Sequence, residues 1–119
     1  MTDMLVRLYD LPPAGPVLER LAGAGIVCRR PEAYERSAVL AFVRAHFPGW
    51  VDETQVALAR SPATCVIAQR GGDVLGFACF HATRPNFFGP TGVAESERGR
   101  GIGTALLLHA LHAMAAEGY

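Results

Sequence analysis

This chain of 119 residues carries little charge and no excess of either sign. Only 18% of its residues are charged, and 11 basic residues stand against 11 acidic ones. No run of Lys/Arg supplies the electrostatic footprint of a nucleic-acid surface, so nucleic acid is excluded as a partner. Cysteine is scarce: Cys28, Cys65 and Cys79 are odd in number, far apart, and include no Cys-x-x-Cys pair. That usage fits a reduced, cytoplasmic compartment, with each thiol serving as a small buried hydrophobe. No apolar run approaches the ~20 residues that span a membrane. The first ten residues carry Asp3 and Asp10 and lack a basic region followed by an apolar one, so they do not read as a signal peptide. Half the residues are hydrophobic, which argues against disorder and for one domain with a core of its own.

Two nucleotide-binding fingerprints are also missing. Gly-x-Gly-x-x-Gly fails from Gly99, where the third glycine position is Thr104, and from Gly101, where it is Leu106. Only residues 104–119 follow Gly103, too few for the second half of a Rossmann unit or its acidic residue about 20 positions on. No Gly-Lys-Ser/Thr run exists to make a P-loop.

What the chain does have is Glu97 to Leu107, Glu-Arg-Gly-Arg-Gly-Ile-Gly-Thr-Ala-Leu-Leu. Glycines at 99, 101 and 103 strip the backbone of side chains where a long apolar helix begins. The first four N–H groups of a helix lack an intrahelical partner, and the helix dipole places about half a positive charge there. Glycine lets an anion approach those groups closely, and Arg98 and Arg100 add cationic side chains beside them. The stretch therefore reads as a phosphate cradle. The alternative is a strand-to-helix turn that binds nothing.

The remaining chain reads as follows. Met4–Tyr9 is a short strand or extended arm ended by Pro12-Pro13. Pro16 opens a short helix through Val17, Leu18 and Leu21, stopped at Gly23 or Gly25. Ile26–Arg30 is a strand. Glu32–Phe47 is helical, with Val39, Phe42, Val43 and Phe47 at three- and four-residue spacings. A second helix, Val51–Arg60, has Val51, Gln55 and Leu58 on one side, and Trp50 at its joint is a core plug or a substrate-facing wall. Thr64–Gln69 and Val74–His81 form a hairpin about Arg70–Asp73. Gly76 marks close approach of a neighbour. Arg84-Pro85-Asn86 breaks the pattern, and Phe87–Ala94 is a third antiparallel run. The last helix, Gly101–Glu117, has a core stripe of Leu107, Leu111 and Met114, flanked by Leu108, and Gly118 stops it. His109 and His112 share another side and read as solvated, because no Cys, Asp or Glu completes a metal site.

The spacing Arg-x-x-Gly-x-Gly, as Arg98, Gly101 and Gly103, continuing into Thr-Ala-Leu-Leu, resembles the acetyl-CoA signature of the GCN5-related N-acetyltransferases, the GNAT superfamily. Gly92 to Glu97 resembles that family's fourth strand and its exit, and the element order is similar over about Ile26–Tyr119. Glu95 departs from a frequent proline and Thr91 from an aliphatic residue. The resemblance implies an α+β, GNAT-like acyl-CoA N-acyltransferase fold with a mixed sheet. On that resemblance the family's C-terminal strand and helix are expected to be missing, residues 26–119 to form an incomplete domain, and residues 1–25 to be an extension packed on it. It also implies that N–H groups from Arg98 through Gly99, Arg100, Gly101, Ile102 and Gly103 to Thr104 hold the CoA pyrophosphate. Gly92–Ala94 would pair with the pantetheine arm, and an N–H near Val93 or Ala94 would polarise the thioester carbonyl. The acceptor is then a small-molecule or peptide amine, attacked in a ternary complex without a metal. An exposed fourth strand would invite homodimer formation through the sheet edge. No general base is assigned; Asp52, Glu53, His81, Glu95 and Glu97 are positional candidates. An acetyltransferase, a non-catalytic acyl-CoA-binding module and a structural domain all remain compatible with the residues.

Overall fold

The computed structural model describes residues 12–82 and 88–117. The strand expected at Met4–Tyr9, the break at Arg84–Asn86 and the Gly118 stop lie outside them. Helix α1 (Gly15–Gly23) starts on Pro16, whose fixed φ suits the first helical turn. Strand β1 (Ile26–Arg29), helix α2 (Arg36–His46) and helix α3 (Val51–Ala59) follow. Strands β2 (Cys65–Arg70), β3 (Asp73–Phe80) and β4 (Phe88–Val93) precede helix α4 (Ile102–Ala116). Short 3-10 turns lead into α2 and α3, at Ala33–Glu35 and Pro48–Trp50, and a third follows β4 at Glu95–Glu97.

The strands make one antiparallel sheet in the order β1-β2-β3-β4. The hairpin is tighter than the turn expected over Arg70–Asp73, because Arg70 and Asp73 pair with each other and only Gly71-Gly72 turn. Gly71, at φ 60°, has the positive φ that two-residue turns need at their first central position. Alternate residues enter two cores. Val66, Ala68, Ala78 and Phe80 meet α1 and α4, whereas Cys65, Ile67, Phe77 and Cys79 meet α2 and α3. A register shift at Ala68/Gln69 marks a bulge in β3, and Leu75 joins the α4 core while Val74 joins the other. At Gly76 a Cβ would stand 3.0 Å from the Gly92 carbonyl oxygen and 3.1 Å from Leu106 Cδ1. This is the close approach expected there.

Two helices bury faces that only partly overlap those the spacing suggested: Leu111 and Met114 are buried as expected, and Leu107, Val51 and Leu58 are partly buried against the cores. On α4 the buried residues are Ile102, Ala105, Leu106, Ala110, Leu111 and Met114, and Leu107 is only half-buried. The helix is apolar nearly all round, so its pattern cannot single out a stripe; small Ala105 and Ala110 let the sheet approach there. On α3, Thr54 and Ala57 are buried, while Gln55 is exposed. The Thr54 hydroxyl donates to the Trp50 carbonyl at 2.7 Å, which makes its burial tolerable. His109 and His112 are half-buried, not solvated. Burial holds the His109 ring below its ordinary pKa, and His112 Nε2 donates to the Pro12 carbonyl at 2.8 Å. Cys65 and Cys79 are buried cross-strand neighbours, both free thiols.

The sheet is tied to α2 by an ion pair. Arg29 forks Glu35 at 2.7 and 2.6 Å and also donates to Gln69, while Glu35 accepts the Glu32 N–H at 2.8 Å. These bonds, chiefly those from Arg29, hold the Glu35 carboxyl down to about 2 from an ordinary 4.5. A carboxyl lowered in the folded state stabilises it above the unfolded pKa and loses that contribution as pH falls through the folded one. The difference in urea midpoint between the native chain and Glu35→Gln is therefore expected to stay constant above pH 4.5 and close towards pH 2. A difference unchanged across that window would show that the pair does not couple to folding.

Candidate functional site

The site begins at the end of β4. The Ala94 N–H donates to the Leu75 carbonyl at 2.8 Å, and Val93 stands opposite Gly76. In an antiparallel ladder this makes Val93–Gly76 a pair without mutual hydrogen bonds, so the N–H and C=O of Val93 point off the sheet edge. Arg98 Nε donates to that Val93 carbonyl at 3.2 Å. Of the two N–H groups expected to face an acyl carbonyl, the one at Ala94 is committed to the sheet. The ladder's alternation leaves Val93.

Beyond β4, the Glu95–Glu97 turn is pinned to the hairpin. Glu97 is buried and forked by Arg70 at 3.0 and 3.1 Å, with Arg100 Nε at 3.6 Å. Arg70 holds the Glu97 carboxyl below the usual carboxylate range, so Glu97 is an anchor for the loop and a poor proton acceptor. The chain then passes through Gly99 at φ 85° and Gly101 at φ 87°, both left-handed, before α4 starts at Ile102. The Ile102 side chain is buried in the α4 core, which fixes the helix start against the sheet.

None of the N–H groups from Gly99 to Thr104 donates to a backbone carbonyl among the described residues; the first such bond is Ala105 N–H to Gly101 at 3.0 Å. Six consecutive donors thus lack a backbone partner where the positive end of a 15-residue helix begins. Space is available above them. A Cβ on Gly103 would meet only Val93 Cγ2, at 3.8 Å, and one on Gly99 would meet nothing within 4 Å. At Gly101, by contrast, a Cβ would stand 2.5 Å from Nη2 of Arg20 on α1. The backbone of Val93, Arg98, Gly99, Arg100, Gly101, Ile102, Gly103 and Thr104 therefore lies at one junction, between the end of β4 and the start of α4.

Next to this junction, on the α2 face, lies an open groove of about 460 Å³. His46 and Phe42 of α2, Asp73 of the hairpin, and Ala94, Ser96 and Glu97 of the β4 exit contribute to its walls. His46 and Asp73 are brought together here although nothing in their sequence neighbourhoods links them: one ends a helix, the other closes a turn. The other candidates are placed elsewhere. Asp52 and Glu53 do not line the groove, although Glu53 Oε2 is buried without a hydrogen-bond partner among the described residues. His81 follows the far end of β3, beside the start of β4, and its Nε2 lies 2.8 Å from Glu117 Oε2. That end of the sheet is remote from the cradle. Trp50 stacks on Phe47 with ring centroids 5.1 Å apart and joins the α2–α3 core. Phe47 in turn covers Gly92, where a Cβ would stand 2.6 Å from its ring.

Residues 27–119 match the acetyltransferase (GNAT) family. The chain belongs to that family. Among functionally curated proteins, no sequence matches it significantly. Its fold is the α+β GNAT fold, shared with several solved acetyltransferases. One is the GCN5-related glucosamine N-acetyltransferase region of a fungal multi-domain GH3 β-N-acetylglucosaminidase, at 22% identity and a TM-score of 0.76, covering 93% of this chain and 16% of that one. Another is the diaminobutyrate acetyltransferase EctA of Paenibacillus lautus, solved with L-2,4-diaminobutyric acid and coenzyme A, at 29% identity and 0.53, covering 72% and 56%. A third is a GNAT acetyltransferase of Brucella melitensis, solved with acetyl-CoA, at 19% and 0.59, covering 78% and 70%. This GNAT chain thus spans 16% and 56% of the length of the first two. No helix among its described residues is long and apolar enough to cross a membrane, and no cluster of described residues could hold a metal ion.

Proposed function

We propose that this GNAT domain binds acetyl-CoA at the β4–α4 junction and transfers its acetyl group to an amine. The observation that carries this reading is the run of six N–H groups, Gly99 to Thr104, without backbone partners at the start of α4. Those groups, with Arg98 and Arg100, would hold the pyrophosphate. The Val93 N–H, directed off the sheet edge, would orient and polarise the acyl carbonyl. When bound, acetyl-CoA supplies an activated thioester that an amine can attack directly. The groove between α2 and the hairpin gives the amine an approach to the β4 exit, and Phe42 and Ala94 offer apolar wall for its carbon skeleton. His46 and Asp73 are the titratable groups in that groove not already forked by an arginine, and they would accept the proton the amine loses. EctA, solved with its substrate diaminobutyrate, supports an amine as the acceptor class.

The test is thiol release from acetyl-CoA by the full chain across a panel of primary amines. Amine-dependent release, lowered by His46→Asn, is the expected result. Saturable acetyl-CoA binding with no release across the panel would reduce the protein to an acyl-CoA-binding module.

A further inference from the structure

Three guanidinium groups lie at the cradle, and two of them have partners. Arg98 donates to the Val93 carbonyl, and Arg100 faces Glu97 at 3.6 Å. The third, Arg20, comes from α1, in the segment that precedes the family match. Arg20 is exposed and has no hydrogen-bond or ion-pair partner among the described residues. Its guanidinium occupies the position a Gly101 side chain would take, and Val17 of the same helix lies 3.8 Å from that position. Leu21, one residue on, is 3% exposed in the α4 core, so α1 is seated and Arg20 projects from a fixed base. Gly101 itself is held to glycine by its left-handed φ, since the Arg20 head beside it ends a flexible, exposed side chain that could move aside.

The Arg20 guanidinium thus stands next to Gly101, inside the run of N–H groups without backbone partners among the described residues. Arg presents planar donors suited to two phosphate oxygens at once. Resting on the acetyl-CoA reading above, we infer that α1 completes the phosphate site and that Arg20 pairs with a phosphate of the bound CoA. The segment before β1 is then part of the binding site, and not only packing for the core. CoA offers two kinds of phosphate, the pyrophosphate and the 3′-phosphate, and both present the same anionic oxygens.

The experiment is calorimetric titration of the full chain with acetyl-CoA and with acetyl-dephospho-CoA, which lacks the 3′-phosphate. Arg20→Ala is expected to weaken acetyl-CoA binding about tenfold or more, as for loss of a charge-assisted hydrogen-bonded pair. Arg20→Lys, which keeps the charge but not the fork, is expected to recover part of the loss. Equal losses for both ligands assign Arg20 to the pyrophosphate; a loss confined to acetyl-CoA assigns it to the 3′-phosphate. Either supports the inference. Unchanged affinity of Arg20→Ala, with the wild-type chain binding normally, overturns it and leaves the acetyl-CoA reading intact. A folded wild-type chain that binds neither ligand overturns both.

Discussion

Replacing Gly103 by Trp is expected to lower acetyl-CoA affinity at least about a hundredfold, close to 3 kcal/mol, without loss of the fold. Gly103 is exposed in the first turn of α4, and a Cβ there would touch only Val93 Cγ2 at 3.8 Å. Nothing in the core opposes a side chain at this position, and leaving glycine raises helix propensity. On the proposed reading, an indole there, beside Val93 at the start of α4, would compete with the phosphate for the open first turn. Gly103→Ala serves as the control and is expected to keep both the fold and most of the affinity. Calorimetry gives the affinity, and the urea midpoint reports the fold. A folded Gly103→Trp chain that binds within a few-fold of wild type would show that the ligand lies elsewhere.

Truncating Phe77 to Ala is expected to cost about 3–5 kcal/mol of stability, out of the ~5–15 typical of a domain. The side chain is fully buried at the centre of the α2–α3 core. Its ring meets Phe42 edge-on at 6.4 Å between centroids, Phe47 at 5.9 Å and Trp50 at 6.3 Å. Neighbours fixed by β2, β3 and two helices cannot collapse fully into the gap, so a cavity term adds to the lost transfer free energy. The consequence should reach the site, because Phe47 packs both on Phe77 and over Gly92 of β4. Urea denaturation followed by tryptophan fluorescence measures the change, with Trp50 as the reporter. A loss below ~1 kcal/mol would mean that the α2–α3 layer does not pack on the sheet as described.

Much of the fold follows from local chemistry alone. Pro16 starting α1, Gly71-Gly72 turning the hairpin and the left-handed Gly101 capping α4 are each visible as residue types with few backbone alternatives. The element order from β1 to α4 and the contiguous run Val93 to Thr104 are equally legible, because a helix N-terminus stripped of side chains is a local feature. Faces were harder to read. On α4 an almost wholly apolar surface left Leu107 as plausible a core residue as Leu106, and only the sheet's position distinguished them.

What the sequence determined by itself is the glycine-rich start of α4 and the order of elements leading to it, since both depend on neighbours along the chain. What only the tertiary structure decided depends on residues far apart. Arg70 reaches from the hairpin to fork Glu97, and this removes Glu97 from the list of bases. His46 and Asp73 share a groove, whereas His81 lies at the other end of its strand with Glu117. The ladder's alternation gives the Ala94 N–H to Leu75 and turns that of Val93 outward. Arg20 stands at Gly101 across a gap of 80 residues of chain. Packing brings these groups together, and one-dimensional spacing carries no signal of where a folded chain will place a side chain in space.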